Sequence, residues 1–244
     1  MKGGKKIKKI KGEMREYPGF IQRYEKPFLV RIAKKVPRFM NSNHFTLLAF
    51  FSSLAIFFCY LFGPKHPYLY LLSIVFWFLH YVGDSLDGTV ARIRHEERPR
   101  YGYYVDHILD SISVFFMLGG IAFSGITNPF IWLLLIIVVL IIFISGFLKV
   151  YVQRKFVVGL KFLRVGSTEA RIAMSIFSLV LFAYANLDFL QKIGLKFFNF
   201  TFNMIDLFGL FALLGGIFSL FVDILLTSIR LYREDTELLR KTKR

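Results

Sequence analysis

The chain has 244 residues, of which 55% are hydrophobic and 18% aromatic, and its mean hydropathy is +0.53. That balance excludes an ordinary soluble domain. Its 32 Lys and Arg residues against 16 Asp and Glu give a formal net charge of +16. A nucleic-acid-binding surface would gather such charge on one face, whereas here the basic residues are dispersed among the flanks of apolar segments. We therefore expect a membrane protein with the lipid bilayer, and no nucleic acid, as its partner.

The first 40 residues precede any long apolar segment. Residues 1–17 are polar and basic, which is typical of a tail that meets anionic lipid. Between Phe20 and Val36, apolar residues recur at helical spacing with Lys and Arg between them. This pattern predicts an amphipathic helix that lies in the membrane interface. Residues 1–40 are thus expected to form a basic cytoplasmic tail followed by an interfacial helix.

Six segments further along are apolar for about 20 residues, the length that a helix needs to cross roughly 30 Å of hydrocarbon. They lie near residues 44–63, 68–91, 103–124, 129–150, 168–187 and 205–230. The fold class predicted is therefore all-α, a polytopic membrane protein with six transmembrane helices. We expect one membrane domain at 41–231 and a cytoplasmic tail at 232–244. The connection from Asn186 to Asn203 is long enough to hold a short interfacial helix.

The basic residues predict the orientation of these spans, because Lys and Arg are retained on the cytoplasmic side. All but three of the 32 basic residues fall before the first span, after the last span, or in the second and fourth connections. The exceptions are Lys65, Lys192 and Lys196. Both termini are therefore expected to be cytoplasmic.

Four carboxylates stand beside the apolar runs. Asp84 and Asp87 are three residues apart near the end of the second span, and Asp106 and Asp110 are four apart near the start of the third. Each pair projects from one face of its helix. Antiparallel helices joined by a short loop would bring the two faces together. The sequence therefore predicts a carboxylate cluster at one depth, just inside the cytoplasmic side of the membrane.

Such a cluster needs a counter-charge. Bare carboxylates so close would repel one another, and the burial of each costs several kcal/mol unless it is neutralised. A divalent cation would neutralise them, and ligation by oxygen alone favours Mg²⁺ or Mn²⁺ over zinc. His80 and His107 stand near the acids, but a lone His beside an acid is more often a hydrogen-bond partner than a ligand.

Small residues accompany the acids. Gly88 and Ala91 follow Asp87, and Gly102 opens the next span, although glycine costs about 1 kcal/mol inside a helix. They could allow close helix packing or leave room for a flat ligand, and the pattern leaves both readings open. Arg92 offers a fork suited to a phosphate or to a neighbouring carboxylate.

Taken together, these residues resemble the signature of the CDP-alcohol phosphotransferase family. The matching positions are Asp84, Asp87, Gly88, Ala91, Arg92, Gly102, Asp106 and Asp110. The nine residues between Arg92 and Gly102 are at the long end of the family's usual spacing. Asn43 and Thr46, where the first span begins, resemble a further family pattern, although Ser42 stands where a proline often precedes the Asn.

The resemblance implies an enzyme that moves a substituted phosphate from a CDP-linked donor to an alcohol and releases CMP. It implies that Asp84, Asp87 and Asp106 hold Mg²⁺ or Mn²⁺, with two ions expected. Asp110 would be the general base and a further contact to metal. The group that would border the CDP consists of Gly88, Ala91, Arg92, Gly102, Asn43 and Thr46. A homodimer is also expected.

The acceptor site is less specified. The stretch GSTEARIAMSI at 166–176 resembles one in family members that handle amino alcohols, and it places Glu169 and Arg171 near the depth of the acids. Lys149, Arg154 and Arg164 lie on the same predicted side. They either bind an acceptor phosphate or are cytoplasmic flanks of the spans.

Three functions are consistent with these patterns. The first joins CDP-diacylglycerol to a small polar alcohol and makes a phospholipid. The second keeps the chemistry but transfers phosphocholine or phosphoethanolamine from a CDP-amino alcohol to diacylglycerol. The third, of another class, is an ion-coupled transporter or cation-binding scaffold. Transport favours acids spread across the bilayer depth, whereas these acids gather at one depth.

Overall fold

A computed structural model of the chain describes residues 22–153, 167–197 and 200–242. Within these ranges the chain forms eight helices and one two-stranded hairpin. The helices are α1 (Gln22–Lys35), α2 (Ser42–Phe62), α3 (Tyr68–Arg94), α4 (Pro99–Ala122), α5 (Pro129–Gln153), α6 (Ser167–Asn186), α7 (Asp188–Gln191) and α8 (Met204–Thr242). The hairpin strands are β1 (Gly194–Phe197) and β2 (Phe200–Asn203).

Six of the described helices, α2 to α6 and α8, are long and apolar enough to cross a membrane. The prediction of an all-α protein with six transmembrane helices is therefore confirmed. The observed ends extend beyond the predicted ones where the sequence favours helix: α4 begins at Pro99, which suits a first helical position. Helix α8 runs unbroken through residue 231, because the chain from 217 to 242 contains neither Gly nor Pro.

The connection between α6 and α8 differs in part from the prediction. Its helix, α7, has only four residues, and a β-hairpin follows it. The strands are antiparallel and align Gly194 with Asn203 and Leu195 with Phe202. Aromatic and β-branched residues in 195–202 favour extended backbone over helix.

Helix α3 lies at the centre of the packing, with α1, α2 and α6 around it, while α4 packs on α2 and α5. A buried polar network joins α2, α3 and α6. Trp77 Nε1 donates to Tyr60 Oη (2.8 Å), which lies 2.7 Å from Ser178 Oγ, and Ser73 Oγ is 2.9 Å from Ser178 Oγ. Since a buried polar group without a partner is costly, the network favours one rotation of these helices.

Helix α1, which the sequence predicted in this region, packs at the end of α2 and α3 that carries the acidic residues. Its Leu29 and Ala33 are buried in one apolar cluster with Phe45, Leu86 and Val90. Arg94 of α3 holds the segment that follows α1. Its guanidinium donates hydrogen bonds to the carbonyl oxygens of Val36, Pro37 and Met40, at 2.9, 2.9 and 2.5 Å. The Pro37 carbonyl also accepts from the backbone N–H of Met40 at 3.1 Å, so Arg94 adds donors just beyond the end of α1.

Close helix approach depends on Gly83, which lies one residue before the acidic pair of α3. A Cβ atom added to it would lie 2.7 Å from the Ala49 nitrogen and 2.7 Å from the Phe45 oxygen. Both are backbone atoms of α2 and cannot move independently. The absence of a side chain at Gly83 therefore sets the distance between α2 and the helix that presents Asp84 and Asp87.

We predict that Gly83→Ala destabilises the protein by about 1–3 kcal/mol, because the new methyl group forces α2 away from α3. Thermal unfolding of the detergent-solubilised protein measures this loss. The matched control is Gly215→Ala on α8, where an added Cβ meets nothing within 4 Å. Equal stability of the two variants would contradict the close packing at Gly83.

Candidate active site

The acidic residues of α3 and α4 converge. Asp84, Asp106 and Asp110 each place a carboxylate oxygen within 4.8 Å of the other two. All three side chains are partly buried. They line one cavity between α2, α3 and α4 together with Thr46, Ala49, Phe50, His80, Asp87, Leu109 and Ser113. The spacing of three and four residues on antiparallel helices thus produces one cluster, as the sequence predicted.

Asp87 lines the same cavity but lies outside the group of three. Its Oδ2 accepts a hydrogen bond from Thr46 Oγ1 (3.3 Å), and its Oδ1 accepts one from the backbone N–H of Gly88. Thr46 belongs to α2, so the contact joins the acidic face of α3 to the neighbouring helix. In the described structure, Asp87 is thus held by donors from the protein.

A cation from a third helix approaches the cluster. Arg171 of α6 places its Nη2 2.6 Å from Asp84 Oδ2, and its side chain is only 12% exposed. Inside a low-dielectric bundle, opposite charges at this distance stabilise one another far more than they would in water. Arg171 therefore balances part of the negative charge that α3 and α4 bring together.

The three converging carboxylates fit a hard divalent cation. Their donors are all oxygen, they share one cavity, and their oxygens lie close enough for one ion to contact all three. Asp84, Asp106 and Asp110 are therefore the residues that could hold such an ion. Asp87, whose oxygens face Gly88 and Thr46, could join them if one of those contacts were exchanged.

The residues predicted to border the CDP group occupy different environments. Arg92 is exposed and its Nη2 donates to Thr89 Oγ1 (3.2 Å), while a Cβ added to Gly88 would lie 3.2 Å from Arg92 Nη1. Gly102 is exposed and has open space around it. Ala91 is partly buried on the same helix. Of the two predicted α2 residues, Thr46 lines the cavity, whereas Asn43 is exposed and is not among its described lining residues.

The predicted acceptor residues separate in the structure. Arg171 reaches the acidic cluster, and Glu169 lies partly buried in the first turn of α6. Arg154 and Arg164 lie outside the described residues. Lys149 is buried, with 6% of its surface exposed, and is therefore no solvent-exposed flank.

Lys149 pairs instead with an acid in the last span. Its Nζ donates to Asp223 Oδ2, which also accepts from Ser145 Oγ at 3.1 Å. No local sequence pattern identifies this partner of Asp223. The ion pair joins α5 to α8, and each charge lowers the cost of burying the other.

A second polar contact beside the site was missed by sequence reasoning. Glu25 of α1 accepts hydrogen bonds from Tyr81 of α3 (3.1 Å) and Thr168 of α6 (3.1 and 3.3 Å). Glu25 is the one acid among the cations of α1. This single acidic residue among basic ones was the sequence feature that could have indicated a buried contact. The contact joins α1 to the helix that carries Arg171.

The structure and its site define the class of protein: a six-helix membrane protein with a carboxylate cluster in a cavity between its spans. A family model described as CDP-alcohol phosphatidyltransferase matches residues 39–221. The match covers most of the chain and includes all four acids, and the chain belongs to that family. It is therefore a transferase of substituted phosphate groups that acts on CDP-alcohol substrates in membranes, in phospholipid synthesis. No curated protein matches the chain significantly.

We predict that Arg171→Gln destabilises the metal-free protein by about 3–5 kcal/mol, because Asp84 then remains buried among acids without a cation. The measurement is thermal unfolding in EDTA. The control is Arg230→Gln, since Arg230 is exposed on α8. A stability of Arg171→Gln equal to that of the control would show that the ion pair contributes nothing to the fold.

Proposed function

We propose that the protein transfers a phosphatidyl group from CDP-diacylglycerol to a small polar alcohol, with release of CMP, at the cytoplasmic leaflet. The observation that carries this proposal is the convergence of Asp84, Asp106 and Asp110 in one cavity, within a chain of the CDP-alcohol phosphatidyltransferase family. The four acids of the signature all line this cavity. The concentration of Lys and Arg near both termini supports the cytoplasmic placement.

The four acids would hold Mg²⁺ or Mn²⁺, and we propose two ions. Such ions, when bound, neutralise the negative charge that develops on phosphoryl oxygens and on the leaving nucleotide. Gly88, Ala91 and Gly102 would leave room for the CDP group. The exposed guanidinium of Arg92 would bind its phosphates, and Thr46 and Asn43 would border it from α2.

Transfer requires one proton to move and one bond to be exchanged. The hydroxyl oxygen of the acceptor attacks the phosphorus that carries the diacylglyceryl group, and a new P–O bond forms. The bond from that phosphorus to the CMP oxygen breaks, and CMP leaves with the electron pair. Asp110 takes the hydroxyl proton, since its carboxylate lies in the cavity where the two substrates would meet.

The acceptor would be oriented from α6. Arg171 already lies against Asp84, and an exchange of this contact for a metal ion would free its guanidinium for an anionic group of the alcohol. Glu169 in the same helix would contact a cationic group. Lys149 contributes indirectly at most, because Asp223 holds it. Arg154 and Arg164 are further candidates for an acceptor phosphate.

A sequence resemblance favours the reverse donor. The stretch 166–176, which resembles family members that handle amino alcohols, supplies both Arg171 at the acids and Thr168 at Glu25. The second candidate function is therefore transfer of phosphocholine or phosphoethanolamine to diacylglycerol. We also propose that the protein works as a homodimer.

The deciding experiment measures CMP release by purified protein in detergent with Mg²⁺ or Mn²⁺. CDP-diacylglycerol is offered with separate pools of serine, inositol phosphate, glycerol phosphate and amino alcohols. Release that depends on one pool identifies both the reaction and the acceptor. Turnover only of CDP-choline or CDP-ethanolamine with diacylglycerol would reverse the donor. The absence of CMP release in both directions would contradict both proposed reactions with these substrates.

We predict that Asp84→Asn and Asp87→Asn each abolish metal-dependent turnover while folding is retained, since an amide keeps the shape of the side chain but not its charge. CMP release and size-exclusion behaviour measure the two properties. Asp188→Asn is the control, because Asp188 is exposed on α7. Full activity of either α3 variant would refute the metal-site proposal.

A separate prediction concerns the base. Asp110→Asn is expected to keep most of the affinity for CDP in the presence of Mg²⁺ but to lower transfer by about 10²- to 10⁴-fold, because no group then accepts the hydroxyl proton. Isothermal titration and CMP release measure these effects on the same preparation. If this variant bound no nucleotide, Asp110 would be a ligand and not a base.

A further inference from the structure

His80 is a buried imidazole that the proposed reaction does not use. It is 4% exposed, and neither Nδ1 nor Nε2 has a hydrogen-bond partner within the described part of the chain. Its ring lies edge-on to Trp77 with centroids 6.3 Å apart, and it lines the cavity of the acidic cluster. The side chain is thus fixed at the wall of the site with both nitrogen atoms unsatisfied.

This arrangement is costly unless a ligand completes it. A buried polar group without a partner loses about 1–3 kcal/mol relative to water, and native proteins rarely retain one without a reason. A neutral imidazole offers one N–H donor and one acceptor nitrogen. His80 is not part of the group of three carboxylates whose oxygens lie within 4.8 Å of one another. A substrate, and not the metal, is therefore the candidate partner of His80.

The position of His80 along α3 indicates which part of a substrate it would meet. It precedes Asp84 by four residues, one helical turn or about 6 Å toward the middle of the span. Ser113 follows Asp110 by three residues on α4, which runs in the opposite direction, and it lines the same cavity. His80 and Ser113 therefore lie on the bilayer side of the acids.

The residues proposed for the nucleotide lie on the other side. Gly88 and Arg92 follow Asp84 by four and eight residues, toward the end of α3. A substrate with its phosphates between the acids and Arg92, and its cytidine beyond them, would extend its remaining part toward His80. In a lipid substrate the glyceryl group is that part, because it lies between the phosphate and the acyl chains that enter the membrane.

We propose that His80 binds the glyceryl oxygens of the lipid substrate, next to the bond that is made or broken. The inference rests on the proposed function and names the lipid subsite of the same cavity. The glyceryl group is common to CDP-diacylglycerol and diacylglycerol, so the assignment holds for either direction of transfer. His80 donates its N–H to a glyceryl ester or ether-type oxygen and so orients the reacting phosphate or hydroxyl.

The test compares His80→Leu, which removes both polar atoms, with His80→Gln, which keeps a donor and an acceptor. The control is His66→Leu, because His66 is exposed in the connection between α2 and α3. We expect His80→Leu to raise the KM for the lipid about tenfold, because one hydrogen bond to the lipid is lost. The KM for the second, water-soluble substrate and the Mg²⁺-dependent affinity for CMP should stay unchanged. His80→Gln should stay within about threefold of the wild type.

A binding measurement separates this inference from the proposed function. Thermal unfolding is recorded without lipid, with CDP-diacylglycerol and with diacylglycerol in separate samples. Without lipid, His80→Leu should be at least as stable as the wild type, since the unsatisfied imidazole is gone; a structural role would make it less stable. The stabilisation by whichever lipid binds should be smaller in His80→Leu than in the wild type and in His66→Leu.

Several results would overturn the assignment. They are an unchanged lipid KM with unchanged lipid stabilisation in His80→Leu, a raised KM for the water-soluble substrate alone, or a loss of stability without lipid. A wild type that releases no CMP refutes the proposed function. The thermal measurement still decides, in that case, whether His80 contacts a glyceryl lipid.

Discussion

The placement of several carboxylates at one depth between α3 and α4 is the constraint on which the structure depends. Negative charges so close in a medium of low dielectric raise one another's energy, and only nearby donors or cations can offset it. Two neighbouring helices supply such groups. Thr46 of α2 donates a hydrogen bond to Asp87, and the Arg171 guanidinium of α6 pairs with Asp84. Helix α1 supports α6 through Glu25 and Thr168. The bundle around α3 is thus arranged to support the charge it contains.

Packing then gives the acids their geometry. Gly83 brings the α2 backbone against α3 immediately beside Asp84, and the hydrogen bonds of Tyr60, Trp77 and Ser178 favour one rotation of α2, α3 and α6. A carboxylate moves with its helix, so small changes in helix rotation would separate oxygens that now lie within 4.8 Å. The buried core therefore determines the geometry of the acidic cluster.

A contrast between buried acids distinguishes structural from functional charge. Asp206, which is 3% exposed, accepts hydrogen bonds from Thr127, Asn128 and Asn203 at 2.5, 2.6 and 3.0 Å and thereby joins the start of α8 to the α4–α5 connection. Its position in the first turn of a helix adds a favourable dipole interaction. The carboxylates of Asp84, Asp106 and Asp110 instead face one another across a cavity. Protein donors thus hold Asp206, whereas the three converging acids border a cavity in which Arg171 balances part of their charge.

The sequence by itself determined the number of spans, the presence of α1 and the convergence of the acids, because helix length, amphipathic spacing and i, i+3 or i, i+4 pairs are local properties. It did not distinguish Lys149 from an exposed flank, identify the partner of Asp223, or find the contacts of Glu25 and Arg94. It placed a short interfacial helix in the connection from Asn186 to Asn203, where α7 lies, but it did not predict the pairing of β1 and β2. These features depend on which helices become neighbours and how each is rotated. Only the tertiary structure decided them, since distant residues meet through packing that no local pattern encodes.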